Sequence, residues 1–426
     1  MKKVLVIAYF YPPCNMAGAQ RAASWAKYLP GNNWKTVVIT RKWEREIREM
    51  KDAHYATSRG VNIDSTGEAE IHRIPFKPGL RDVLMTNNGK LWAFPRKVFS
   101  LVILMFEPVI WWLSSERSFN SYVRRYLKKY AVDTMLITGG PFQLFRIGYE
   151  MHRKYGIPWI ADYRDPWSSA QAVSSSVSDN RVLRRWMSRF EVKWTSNAAM
   201  ITSTTSPHAE EIGRFVGKPN RVVMNGFEPT DFDAVKGAPK FEAFTITYVG
   251  SLYKEQHIEI FIGGFKRFMA QNPGANARLC FVGVTINSAQ AHRVQNLLAA
   301  YDTFAEFSGR IDRTEVLRME VQSHVLLYVA WQKEMGYVGS KVYEYIASGT
   351  PLLVVPSDHG VVDDILKQTG AGWLADTAAE VTAILEDCYR QYLGGNAPRA
   401  AINSERLHSY SRAAQAKIMA EIVNSL

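Results

Sequence analysis

The run Val4 to Phe10, Val-Leu-Val-Ile-Ala-Tyr-Phe, constrains the fold more than any other feature of the chain. A strand with one wet face alternates apolar and polar residues. An unbroken apolar strand is buried on both faces, as in a parallel sheet covered by helices. β-Branched Val4, Val6 and Ile7 favour strand over helix. The same unit of short apolar strand, turn and helix then recurs. Strands are predicted over 34–40, 70–74, 134–138, 158–161, 200–203 and 221–224, with helices over about 19–29 and ending at Tyr155. The turn Asn225-Gly226-Phe227 opens a polar link through about Lys240. A second series begins at Phe244 to Val249 and continues over 279–282, 306–308, 325–330 and 351–355. This alternation predicts an α/β protein with two Rossmann-like, doubly wound domains, residues 1–228 and 241–410.

Composition narrows the class. With 47% apolar and 22% charged residues among 426, the chain is neither disordered nor fibrous. A net charge of +12 points to an anionic partner: a membrane surface, a phosphorylated substrate or nucleic acid. Cys14, Cys280 and Cys388 form neither a disulfide framework nor a metal pattern, which suits a reducing cytosol. Lys2-Lys3, the apolar run and Ala17-Gly18-Ala19 imitate a signal peptide, but the run is short and Pro12-Pro13 interrupts it. The longest apolar stretch, Val98 to Leu113, is shorter than the ~20 residues of a spanning helix and is broken at Glu107-Pro108, so no transmembrane helix is expected. Ser174 to Ser178 reads as a loop.

Three segments carry candidate chemistry. Gly18, after the first strand, opens a helix whose N-terminal N–H groups can face an anion. The Gly-x-Gly-x-x-Gly fingerprint is missing there, which disfavours simple dinucleotide binding. Gly250-Ser251-Leu252-Tyr253-Lys254 repeats the device in the second series, with Lys254 placed to meet a phosphate or simply to be solvated. In the third, Gly336-Tyr337-Val338-Gly339-Ser340-Lys341 feeds a helix that ends at Gly349. Its N-terminus with Gly339, Ser340 and Lys341 can hold a diphosphate, and Glu344, one turn in, can accept both hydroxyls of a ribose. The alternative for Glu344 is an exposed helical glutamate. At the end of a strand, Asp162-Tyr163-Arg164-Asp165 offers an acid to orient a hydroxyl and a cation to steady an anion, or three residues that merely pair with each other. Asp231-Phe232-Asp233 falls in the polar link and reads as solvated charge. No histidine cluster is present, so no metal site is expected.

These segments, in this order, resemble the retaining GT-B glycosyltransferases of family 4, also called group 1. The resemblance rests on Tyr11-Pro12-Pro13 to Gly18-Ala19-Gln20-Arg21, Asp162 to Trp167, Asn225-Gly226-Phe227, Gly250 to Tyr253 and Lys341 to Pro351. It implies a GT-B fold: two Rossmann-like domains facing each other across a cleft, with the last helix, within 411–426, crossing back to the first. It implies a nucleotide-sugar donor in the second domain and an acceptor at the first. Asp165 and Arg164 then fall near the reacting sugar, and Gly18, Gly250, Lys254, Gly339, Ser340, Lys341 and Glu344 at the donor. The family carries two glutamates with seven residues between them. Glu344 matches the second, Gly336 stands where the first is expected, and Glu334 is out of register. Ser251 replaces a common arginine, which leaves the phosphate charge to Lys254 and Lys341.

The resulting expectation is a metal-independent, hexosyl- or N-acetylhexosaminyl-type transferase without cofactor, building a surface polysaccharide on a lipid-linked or saccharide acceptor with retained configuration. A catalytically silent GT-B subunit, favoured by Gly336, and a sugar-nucleotide epimerase are the alternatives. No nucleic-acid motif is present. From Leu91 to Tyr130, aromatic residues (Trp92, Phe94, Phe99, Phe106, Trp111, Trp112) interleave with Arg96, Lys97, Arg117, Arg124, Arg125, Lys128 and Lys129. That mixture suits an anionic membrane surface at the inner face of the cell membrane. The alternative is a core helix over 98–113 with solvated ends.

Overall fold

A computed structural model describes all residues but 17, 46, 48–49, 87–92, 170–180 and 333–335. Ala17, Leu91, Trp92, Ser174 to Ser178 and Glu334 therefore lie outside the described residues. The chain divides into two compact units: Met1–Met224 with Gln415–Leu426, and Asn225–Ala414.

The first unit runs β1 (Lys2–Ala8), α1 (Gly18–Tyr28), β2 (Trp34–Arg41), β3 (Asn62–Thr66), β4 (Ala69–Ile74), α2 (Leu80–Thr86), α3 (Ala93–Phe106), α4 (Arg117–Lys129) and β5 (Thr134–Thr138). It continues through α5 (Leu144–Tyr155), β6 (Trp159–Tyr163), α6 (Arg181–Thr195), β7 (Met200–Ser203), α7 (Ser206–Val216) and β8 (Asn220–Val222). Its sheet has the order β3-β4-β2-β1-β5-β6-β7-β8 and is parallel except for β3, which pairs antiparallel with β4. Alternate residues of β1 enter separate cores. Leu5 and Ile7 pack with Phe119, Val123, Leu144 and Ile147 of α4 and α5, whereas Val4 and Val6 pack with Ala22 and Trp25 of α1. Both faces are covered, as the unbroken apolar run demands. The polar sequence of β3, Asn-Ile-Asp-Ser-Thr, gives no apolar pattern because this strand lies at the sheet edge.

The second unit runs β9 (Phe244–Val249), α8 (Glu259–Gln271), β10 (Ala277–Val282), α9 (Ser288–Leu297), β11 (Ala305–Ser308), α10 (Arg313–Gln322), β12 (Val325–Tyr328) and α11 (Lys341–Ser348). Then come β13 (Leu352–Val354), α12 (Val361–Thr369), β14 (Gly372–Leu374), α13 (Ala378–Leu393) and α14 (Ser404–Ser409). All its strands are parallel, in the order β11-β10-β9-β12-β13-β14. The order reverses between β9 and β12, which makes their C-terminal ends a topological switch point. Each unit is thus a Rossmann-like α/β body.

The last helix, α15 (Arg412–Asn424), places Ala416, Met419, Ala420, Ile422 and Val423 in the first unit's core beside α1. The segment read as a polar link belongs to the second unit. Phe227 N donates to Tyr410 O at 3.2 Å, and Arg412 N donates to Phe227 O at 2.8 Å. Lys240 Nζ donates to Val321 O, Ser323 O and Thr350 Oγ1 at 2.8, 2.5 and 2.9 Å.

The alternative of a core helix over 98–113 does not hold. α3 stops at Phe106, and Pro108 follows it. Ile103 and Leu104 are buried, but Val98, Phe99, Leu101, Val102, Met105, Phe106, Val109, Ile110 and Trp112 are exposed, Trp112 to 67%. Trp111 instead packs inward. Its Nε1 donates to Glu150 Oε1 at 2.9 Å, and the Arg146 guanidinium stacks 4.4 Å from its ring centroid. Glu107, Glu116 and Asp82 are buried within this same region. Burial, helped by the Glu116 charge, pushes the Glu107 carboxyl up to about 8.

Candidate active site

In the second unit the candidate residues gather at the C-terminal ends of β9 and β12. Gly250 follows β9 with φ +137°, and a Cβ there would meet nothing within 4 Å. Backbone conformation, rather than close packing, demands this glycine. Lys254, on the same loop, is exposed and forms no side-chain ion pair among the described residues. Gly339 donates its N–H to Tyr328 Oη at 2.9 Å, which fixes the approach to α11. Ser340 is the N-cap of α11, yet its side chain does not cap the helix. Val342 N donates to Gly339 O at 3.1 Å, and no Ser340 side-chain cap competes with an anion for this end of the helix.

Lys341 and Glu344 sit in a buried chain of charges. Glu344, 5% exposed, accepts from Lys341 Nζ at 2.5 Å and from Arg313 Nη1 at 3.0 Å. Arg313 reaches Asp231 at 2.6 Å, and Lys341 also reaches Glu320 at 3.2 Å. The alternative of an exposed helical Glu344 is therefore wrong: two cations, from α10 and α11, enclose it. Burial would raise its pKa, but Lys341 and Arg313 outweigh burial and hold it below the usual carboxylate range. For Lys341, burial works against the ammonium, and Glu320 with Glu344 reverses the sign and raises its pKa. Burial pushes the fully buried Glu320 carboxyl up to about 7, against the pull of Lys341. Asp231, read as solvated, is a member of this chain. Sequence reasoning missed Arg313 and Glu320. Their spacing of seven on α10 places them on one helix face, a signal that is uninformative without knowing which helix they meet.

In the first unit, Asp162, Arg164 and Asp165 do not pair as a trio. Asp162 is fully buried and takes Arg21 as a two-point partner, Nε to Oδ2 at 2.9 Å and Nη2 to Oδ1 at 2.6 Å. Thr202 Oγ1 and Thr138 Oγ1 donate to the same carboxylate at 2.7 and 3.3 Å. This saturated carboxylate ties α1 to β5, β6 and β7. Arg164 is half-buried, donates from Nε to Gly139 O at 3.3 Å, and lies 5.3 Å from the Phe10 ring centroid. Burial lowers the pKa of its guanidinium, with Asp165 and Asp162 pulling the other way. A Cβ on Gly18 would stand 1.7 Å from Arg164 Nη1, and one on Gly140 2.5 Å from Nη2. The room that Gly18 leaves is thus filled by Arg164. Asp165 is exposed.

Together the two Rossmann-like units define a GT-B fold. Sucrose-phosphate synthase from Thermosynechococcus elongatus superposes with TM-score 0.62 at 17% identity, over 100% of this chain and 99% of its own. A UDP-forming α,α-trehalose-phosphate synthase from Burkholderia vietnamiensis gives 0.62 at 13% identity, over 100% and 99%. A glycosyltransferase from Rickettsia africae gives 0.60 at 12%, over 100% and 98%. Residues 230–403 match the family described as glycosyl transferases group 1. No curated protein matches the sequence.

Proposed function

We propose that the protein transfers a sugar from a nucleotide-activated donor to a saccharide acceptor. The observation that carries this reading is the N-terminus of α11, which no Ser340 side-chain bond caps, with Lys341 at its first position, inside the stretch that matches the group 1 family. There the diphosphate meets helix N–H groups and the Lys341 ammonium, joined by Lys254 from the Gly250 loop. Glu344 lies one turn further along α11, toward the ribose. Departure of the nucleoside diphosphate builds negative charge, which this end of the helix stabilises without a metal. The acceptor binds the first unit, where Asp165 orients the attacking hydroxyl and Arg164 steadies its anionic group. The configuration is retained, and the leaving phosphate takes the hydroxyl proton.

The acceptor in this reading is lipid-linked, and the protein works at the inner surface of a membrane on a surface glycan. Support comes from the apolar residues that α2, α3 and the turn after α3 expose, Leu80, Val83, Phe99, Phe106 and Trp112 among them, beside exposed Lys97. So many exposed apolar residues in one segment mark an interaction surface. The test is incubation of the protein with nucleotide-sugars and membrane extracts, followed by mass spectrometry of released nucleotide and glycolipid. Transfer that survives chelator and is lost in Lys341→Met supports the reading. Neither transfer nor donor hydrolysis with any donor favours the silent-subunit alternative.

A further inference from the structure

Three aromatic side chains meet at the switch point of the second unit and serve no core. Tyr253, on the loop after β9, is 40% exposed. Its ring centroid lies 5.3 Å from that of Trp331, just past β12, and Trp331 lies 6.5 Å from Tyr337, four residues before α11. Trp331 and Tyr337 are half-buried. None of the three belongs to the large apolar core of this unit.

The support beneath them is rigid. Gln256, 5% exposed, accepts from Tyr253 N at 3.0 Å and donates from Nε2 to Val329 O at 2.5 Å. One buried amide therefore staples the Tyr253 loop to the strand end that carries Trp331. Tyr248 Oη donates to Ser251 O at 3.0 Å, and Arg293 Nη2 donates to Gln256 O at 3.0 Å. These contacts fix the backbone that carries the rings, which lowers the ordering cost of binding a ligand ring there.

We infer that this aromatic platform receives the sugar ring of the donor, packing against its C–H face. The inference rests on the donor reading above. That reading places the ribose toward Glu344, inside α11, and the diphosphate at the start of the helix. Tyr337 precedes that start in the chain, on the side away from Glu344, and lies 6.5 Å from Trp331, so the platform falls to the group on the far side of the diphosphate, the sugar. Trp331, Tyr253 and Tyr337 are then specificity residues that select a pyranose with an extended apolar face.

The test is calorimetric titration of the full chain, Trp331→Ala, Trp331→Phe and Tyr253→Ala with UDP, GDP, UDP-glucose, UDP-N-acetylglucosamine and GDP-mannose. Melting curves provide the folding control. The expected result is that Trp331→Ala and Tyr253→Ala each weaken the bound nucleotide-sugar about threefold to tenfold, leave its nucleoside diphosphate within about twofold, and that Trp331→Phe restores most of the loss. Equal losses for diphosphate and nucleotide-sugar overturn the inference and give the platform to the base. Unchanged affinity for both in folded variants also overturns it. If the parent protein binds none of these five ligands and none of ADP, CMP, dTDP or their sugars, the donor reading itself fails and the platform falls with it.

Discussion

Replacing Glu344 by alanine removes the shared partner of two cations, and the structure sets the size of the effect. Truncating one member of a fully buried ion pair costs about 3–5 kcal/mol, because the other charge is left without a partner. Here the discount is real: the Arg313 side chain is 40% exposed and that of Lys341 25%. Arg313 also keeps Asp231, and Lys341 keeps Glu320. A loss of about 2–3 kcal/mol remains. For a unit of this size that corresponds to roughly 4–12 °C in melting temperature. Differential scanning calorimetry of parent, Glu344→Ala and Glu344→Gln measures it, and glutamine, which keeps the shape and loses the charge, should fall nearly as far. Adding Lys341→Met to Glu344→Ala should cost less than the sum of the single changes, since the ammonium then no longer lacks its neighbour. If Glu344→Ala melts within about 1 °C of the parent, the enclosed charge chain is not a stabilising element and the reasoning fails.

Gly18→Ala drives a methyl into the space of Arg164 Nη1, so it should lower transfer as Arg164→Ala does, without adding to it in the double variant; additive losses in transfer assays would separate the two positions. Glu107 has its pKa raised by burial from the ordinary glutamate value to about 8, so its contribution is present in full below about pH 4.5 and is lost as pH rises through about 8. Each pH unit across that window is worth up to about 1.4 kcal/mol, and Glu107→Gln should flatten the decline in melting temperature between about pH 5 and 8; a slope equal to the parent's excludes Glu107 as its source. Phe99→Ser with Phe106→Ser and Trp112→Ser should weaken co-sedimentation with anionic vesicles at low salt, whereas Trp111→Ser should mainly lower stability by releasing Glu150 and Arg146. Parent protein that ignores such vesicles removes the membrane from the account.

The fold was legible because burial on both faces leaves unbroken apolar runs in strands, Val4 to Ala8 of β1, Val37 to Ile39 of β2 and Met135 to Ile137 of β5, whereas β9 buries Thr245 and Thr247 along with its apolar residues. β3 was invisible, since an edge strand needs no apolar face. The glycine turns and the start of α11 were also readable, because a backbone that must bend or approach an anion restricts residue type. Partnership was not readable. Asp162 chose Arg21, 141 positions away, over Arg164 two residues on, and Glu344 found Arg313 on another helix. Such choices depend on which side chains the sheet order brings together. Trp111 and Trp112 make the same point: adjacent and identical in sequence, one packs inward and the other faces solvent.

The most direct test of the central claim is a thermal-shift panel on the unmodified protein with UDP, GDP, ADP, CMP, dTDP and their sugars. A donor present at about 100 times its dissociation constant adds roughly 2.7 kcal/mol of stability to the state that binds it. The account predicts that one base raises the melting temperature, that its nucleotide-sugar raises it further, and that Lys341→Met abolishes both shifts. A panel in which no nucleotide moves the transition of the parent protein would contradict a nucleotide-sugar site at the start of α11.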